Sequence, residues 1–337
     1  MVRARKWIAE VISFCLVLTA AAHSQTIIYS LSYVDTAVSF KHHFAGVSPA
    51  PGLRTHEQNL AMMRTHRKTE IYSHRLPDSK PALLFSDEDL PLEILGPASV
   101  SPDGRAFAKA TLRTWHGGPY PGVSADTAIY ELVLDGSNDF HRILNDQPNQ
   151  SAPQFNLQGT KAALQSFVDG KYFLASYAFP SWKLLRTINL SDLMKQTCPV
   201  CTPVDFGWMA DGSVQFVELT VVGDDEDAPP GSPGTYLISA DSSRMVKVPD
   251  STAAFSLERY FHPKSTQRHF GQAFPSASGK YLACIESRTT PTFHTEQRLW
   301  VIDLQAKSER ELLFIPPPGP PSSPDPNAFL SILGWIN

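Results

Sequence analysis

The sequence predicts an all-β chain assembled from repeated four-stranded units. Three observations predict it: a glycine-ended turn that recurs between apolar segments, an aromatic and aliphatic strand at a fixed place after each turn, and a chain end that repeats the beginning of a unit. Composition agrees. Charged residues make up 18% and hydrophobic residues 42%, with 28 prolines against 19 glycines, the balance of a packed domain with many turns rather than of a disordered chain. At 337 residues, length by itself allows one large all-β domain or two ordinary ones.

The best-formed turn lies in ASVSPDGRAFAKA, Ala98 to Ala110. Others end at Gly159 in FNLQGTKAALQSFV, at Gly212 in GWMADGSVQFVEL and at Gly279 in AFPSASGKYLACIE, so that successive turn glycines, starting at Gly104, are 55, 53 and 67 residues apart. So long and elastic a period is what remains when one supersecondary unit repeats and its loops vary. It exceeds helical-hairpin repeats and fits four strands. Each turn is followed by a strand, a loop and a third strand: AIYELVL from Ala128, KYFLASY from Lys171, GTYLISA from Gly234 and RLWVIDL from Arg298. Alternating β-branched, aromatic and polar residues mark these as strands rather than helices. A weaker fourth strand comes next, as in RMVKV from Arg244 and RELLF from Arg310.

The last residues, FLSILGWIN, place Gly334-Trp335 where an earlier unit has Gly207-Trp208 just before its turn. The chain therefore ends on a first strand without a second. TIIYSLSY, Thr26 to Tyr33, supplies the second, and EIYSHRL from Glu70 has the third-strand pattern. Pairing the two ends closes the array and removes its open edges.

SPDG, Ser101 to Gly104, and LWVIDL, Leu299 to Leu304, resemble the TolB-type, WD-repeat-like β-propeller family, whose blades carry such a turn after the first strand and such a third strand. The resemblance spans nearly the whole chain after residue 24 and is degenerate at NLQG and SASG. It implies a β-propeller of four-stranded blades, with the N-terminal strand paired to the C-terminal one. Blades of about 60 residues make five of them, with six as the alternative if residues 34 to 68 hide further strands. It also implies a place in an envelope complex. Fold follows from such repeats more safely than function does.

Residues 1–24 read as a signal peptide, because Arg3, Arg5 and Lys6 precede an apolar run that ends in small residues, and Glu10 leaves that run too short for a comfortable span. Residues 25–337 then form one propeller domain, periplasmic or secreted, with no membrane span. Removing three of the 29 basic and one of the 33 acidic residues leaves 26 against 32, a formal charge of −6. Such a surface argues against nucleic acid as partner. Cys198 and Cys201 form CPVC, half the ligand set of a structural zinc site and without the histidine of a haem attachment motif, so a local disulfide is expected. Cys284 sits in an apolar strand as a buried thiol.

In this plan the connections between strands one and two, and three and four, are short. Long segments fall on the other side: 34 to 68, 113 to 127, 190 to 203, 221 to 233, 249 to 268 and 315 to 329. Long loops on a rigid scaffold are where ligands bind. A helix is expected near 55–68, where Thr55 and Gln58 have capping-box spacing; His56 and His66 lack the spacing of a metal-binding helix. In RTWHGGPYPGV, Trp115, His116 and Tyr120 on a glycine-containing loop are candidates to stack on a sugar or grip a peptide. Asp224 to Asp227 lack the alternation and glycine of a calcium loop and read as a solvated acidic run. No cofactor or metal is implied. The partner expected is a protein, peptide or glycan at the elaborated face. The enzymatic alternative, a glycoside hydrolase or lyase, needs carboxylates converging at the channel mouth; Glu93, Asp205 and Asp325 stand near the starts of first strands. No GxSxG segment occurs.

Overall fold

The structure is a computed structural model that describes residues 25–34, 67–77, 80–88, 90–116, 122–144, 151–156, 158–208, 215–221, 233–239, 242–249, 269–276, 278–289, 295–316 and 327–336. Its strands form five antiparallel sheets arranged as the blades of a β-propeller. Blade 1 has the order β21 (Asn327–Ile336), β1 (Thr26–Val34), β2 (Arg67–Arg75) and β3 (Ala82–Ser86). In blade 2 the innermost position is shared by β4 (Leu92–Ile94) and β5 (Ser99–Val100), followed outward by β6 (Ala106–His116), β7 (Gly122–Leu132) and β8 (Phe140–Leu144). Blade 3 holds β9 (Gln154–Phe155), β10 (Lys161–Val168), β11 (Lys171–Ala178) and β12 (Lys183–Asn189). Blade 4 holds β13 (Cys201–Trp208), β14 (Gln215–Val221), β15 (Gly234–Ile238) and β16 (Met245–Lys247), and blade 5 β17 (His269–Pro275), β18 (Tyr281–Thr289), β19 (Thr295–Asp303) and β20 (Ser308–Ile315).

The ends of the chain close the ring as the sequence predicts: β21 pairs antiparallel with β1 from Thr26↔Ile336 to Val34↔Asn327. The described strands make five blades, not six, and β1 and β2 are direct neighbours along their whole length, Thr26↔Arg75 to Val34↔Arg67. The helix expected near 55–68 lies outside the described residues except for Arg67 and Lys68, which belong to β2. Residues 113–127 are not the long loop expected. Backbone pairing of β6 with β7 continues through Trp115↔Val123 to His116↔Gly122, so only residues 117–121 connect them. Alternating threonine, valine and tryptophan are good strand formers, and they lengthen the hairpin instead of opening a loop.

The repeated turn has a common lock. Ser101, Asn156 and Ser276 are buried, and each accepts a backbone N–H across its turn: Ser101 Oγ from Arg105 at 3.1 Å, Asn156 Oδ1 from Lys161 at 2.9 Å and Ser276 Oγ from Tyr281 at 3.0 Å. The turn glycines Gly104, Gly159 and Gly279 have φ of +89°, +63° and +67°, a region costly for other residues. Blades pack face to face through buried apolar side chains, with Ile28, Ile71, Phe85, Leu92 and Tyr130 between blades 1 and 2, and Leu174, Leu190, Phe206, Trp208 and Val217 between blades 3 and 4. Trp208 Nε1 donates to Gln154 O of the preceding blade at 3.0 Å, and Trp335 Nε1 donates to Phe274 O at 2.7 Å. The two Gly-Trp pairs that betrayed the repeat thus make the same bond in different seams.

One short helix, α1 (Leu190–Thr197), links blades 3 and 4. Asn189 caps it by accepting the Asp192 N–H at 3.2 Å, and Leu190, Leu193 and Met194 bury its apolar side. Cys198 and Cys201, just beyond its end, form a disulfide. Cys284 is a buried free thiol on β18.

Candidate functional site: the central channel

A cavity of about 450 Å³ is lined by all five blades, mostly from their innermost strands and in blade 5 also by Ile285 and Ser287 of β18 and Gln297 of β19. A regular strand would show the channel only alternate residues. Here the inner strands are irregular. Blade 2 breaks between β4 and β5, and Pro97, Ala98 and Ser99 face the cavity there. In β13 the pairing shifts between Pro203 and Asp205, so that Val204, Asp205 and Phe206 all reach it. The register of β17 shifts between Phe270 and Ala273, around Gly271, and that of β21 shifts beside Leu333. Bulges of this kind re-aim side chains at the rims of closed sheets.

Strand direction orders the lining from end to end. Ser99, Gln154 and Phe274 each stand two residues before the locking residue of their turn, at the level nearer the plain turns. Ser151 and Gly271 stand five before theirs, nearer the long connections. Ser331 and Asp205 belong to the same half of β21 and β13, and Ser287 and Gln297 join them from β18 and β19. Asp205 is the only ionisable side chain among the described residues that line the cavity. Its Oδ1 accepts the Phe206 N–H at 2.7 Å. Gln297 Oε1 accepts the Leu330 N–H at 2.9 Å, which leaves its NH2 group as the donor on offer. Ser99 is 5% exposed, and its Oγ has no hydrogen-bond partner among the described residues.

The other expected site residues lie elsewhere. Glu93, on β4, does not line the cavity; its Oε2 is 2.6 Å from Arg113 Nη2 on the adjacent strand. Asp325, Tyr120, His56, His66 and Asp224 to Asp227 lie outside the described residues. Trp115 and His116 occupy the far end of β6, the third of the candidate ligand-gripping set being Tyr120. A second carboxylate near the channel, Glu286, turns to the opposite side of β18 from Ile285 and Ser287, where it accepts Trp300 Nε1 at 2.7 Å and pairs with Arg288 at 2.8 Å. Among the described residues no group of three or more His, Cys, Asp or Glu stands ready for a metal ion. Sequence reading found Asp205 but missed the ring of serines and glutamines, because single serines in strands carry no signal. The breaks around Pro97 and Gly271 were the visible clue, as both residue types interrupt strand pairing.

No family model and no curated protein matches the chain. Among solved structures it is similar to TolB from Acinetobacter baumannii, at 12% identity and a TM-score of 0.38, covering 85% of this chain and 52% of that one. The chain thus spans about half the length of that TolB. A protein assigned as TolB from Agrobacterium tumefaciens aligns at 11% identity and a TM-score of 0.33 over 91% of this chain and 98% of its own. A puromycin hydrolase aligns at 12% identity and 0.40 over 78% and 47%. The propeller assignment rests on the sheet order and the ring closure, independently of these likenesses.

Proposed function

We propose that the chain is a TolB-type propeller that works as a non-catalytic recognition module, exported on residues 1–24 to the periplasm or beyond and taking a glycan, peptide or protein on the side of its long connections. The observation that carries this reading is the cavity, in which hydroxyl and amide groups from different blades converge among apolar side chains such as Phe206 and Phe274. That mixture is typical of a pre-formed ligand site. Among the described residues no helix is long and apolar enough to cross a membrane. Membership of an envelope complex draws only on the sequence resemblance.

A hydrolase or lyase is the second reading, favoured by the position of Asp205 in the cavity. Such chemistry uses two carboxyl groups about 5 to 9.5 Å apart. Glu93 is engaged by Arg113, which weighs against it as the second. One experiment separates the readings: a glycan and peptide array probed with the full chain and with Asp205→Asn. Capture without turnover supports recognition; turnover of a glycan that vanishes with Asp205→Asn makes the protein an enzyme.

A further inference from the structure

We infer that the channel cavity is a subsite for one hydroxyl-rich, non-anionic ring of the size of a sugar residue; this deepens the recognition reading and rests on it. Three observations carry the inference. First, the polar lining comes from four blades: Ser151 from blade 3, Asp205 from blade 4, Ser287 and Gln297 from blade 5 and Ser331 from blade 1. Hydroxyls radiating from a pyranose ring meet partners on several sides in such a cage. An extended peptide, whose polar groups lie along two edges, would leave most of them unmet.

Second, Ser151 Oγ accepts the Gln165 N–H at 3.1 Å, which holds the hydroxyl in place and leaves its O–H to donate. Gln297 adds a donor whose position is fixed by the Leu330 bond, and Ser hydroxyls act as donor or acceptor, which matches the dual character of sugar hydroxyls.

Third, charge discriminates. No cationic side chain is found among the described residues lining the cavity, while one carboxylate is, so an anionic group entering it meets repulsion and no counter-ion. Phosphorylated or uronic ligands are thereby disfavoured. The volume of about 450 Å³ has room for a compact ring and its water shell but not for a long oligomer. A longer glycan would place only its terminal residue here.

The test compares N-acetylglucosamine, galactose and glucose with the anionic relative glucuronate, by calorimetric titration into the full chain. Two variants locate the site. Gln297→Glu keeps the oxygen that accepts the Leu330 N–H and removes the donor, so the fold is kept and affinity for the bound sugar falls about three- to tenfold. Gly271→Leu fills the channel: a Cβ there has only Ile285 O near it, at an ordinary 3.7 Å, so the fold tolerates it and binding disappears. Unchanged melting temperatures in both variants exclude misfolding as the cause. Binding of a neutral sugar that neither variant weakens would overturn the channel subsite while leaving recognition elsewhere on the face intact. Binding of glucuronate in preference to the neutral sugars would overturn the ligand class. Silence from every sugar, with peptides captured on the array, would overturn this inference alone; silence on the array as well would remove the recognition reading with it.

Discussion

Blades 1 and 3 carry the same four-stranded plan and reach it by opposite routes. Blade 3 is one continuous stretch of chain, Gln154 to Asn189, and its middle strands meet in a two-residue turn at Asp169-Gly170, with φ of 49° and 75°. That geometry follows the right-handed twist of the flanking strands. Blade 1 takes its inner strand from one end of the chain and its other three from the opposite end. Every local contact of blade 3 can form before the ring exists, whereas the β21–β1 pair requires loop closure over almost the whole chain. The comparison teaches that a repeat's pattern sets the blade, and that chain ends decide how the ring is sealed.

The largest effect should come from removing the seal. A chain ending at residue 326 lacks β21 and exposes the β1 edge along its full length, and we expect loss of cooperative unfolding in a thermal melt. A sharp melt at an unchanged temperature would mean that blade 1 is dispensable. In the continuous half, Phe107→Ala should cost about 3–5 kcal/mol in urea denaturation. Phe107 is fully buried, with Phe155, Phe179 and Trp182 at ring distances of 5.3, 5.8 and 5.2 Å.

A pH-dependent effect of intermediate size belongs to the junction of blades 1 and 2. Asp87 accepts the N–H of Thr69 at 2.6 Å and of Ile94 at 3.2 Å, and burial pushes its carboxyl from 3.8 up to about 6. The sign follows from the protonated form being favoured in the fold. Its contribution is fully present below 3.8 and is lost as pH rises through about 6. Relative to Asp87→Asn, the parent chain should therefore gain on the order of 2 kcal/mol between pH 7 and pH 4 in urea midpoints. A constant difference across that range would remove Asp87 as a titrating joint.

The smallest effect sharpens the comparison most. Trp208→Phe and Trp335→Phe each remove one bond to the preceding blade, at a cost of about 1–2 kcal/mol. Equal losses in denaturation would mean that a seam beside the closing blade behaves like one inside the continuous chain. A larger loss for Trp335→Phe would show that the closing blade has less to spare.

Much of this was legible without coordinates. The third strands β7, β11, β15, β19 and β2 fall on the five aromatic segments read from the sequence, because an alternating strand flanked by turns leaves a pattern in one dimension. The Gly-Trp match predicted which strand closes the ring. Helix α1 went unread: eight residues give too few turns for a period to emerge, and its Asn189 cap is recognisable only once the helix is known. The β6–β7 hairpin was missed for the converse reason. The sequence Gly117-Gly118 reads as a loop, while the paired strands on either side run as far as His116 and Gly122.

By itself the sequence determined the repeat, the turn chemistry and the pairing of the two ends, since each depends on neighbours within a few residues or on a direct match between segments. Only the tertiary structure decided which side chains share the channel. Ser99, Ser151, Asp205, Gln297 and Ser331 are separated by as many as 232 residues along the chain, and bulges in β13, β17 and β21 help to shape the one cavity they line. A bulge moves a residue from one face of a sheet to the other by inserting a single position. No local pattern records that shift; it exists only in the register between paired strands.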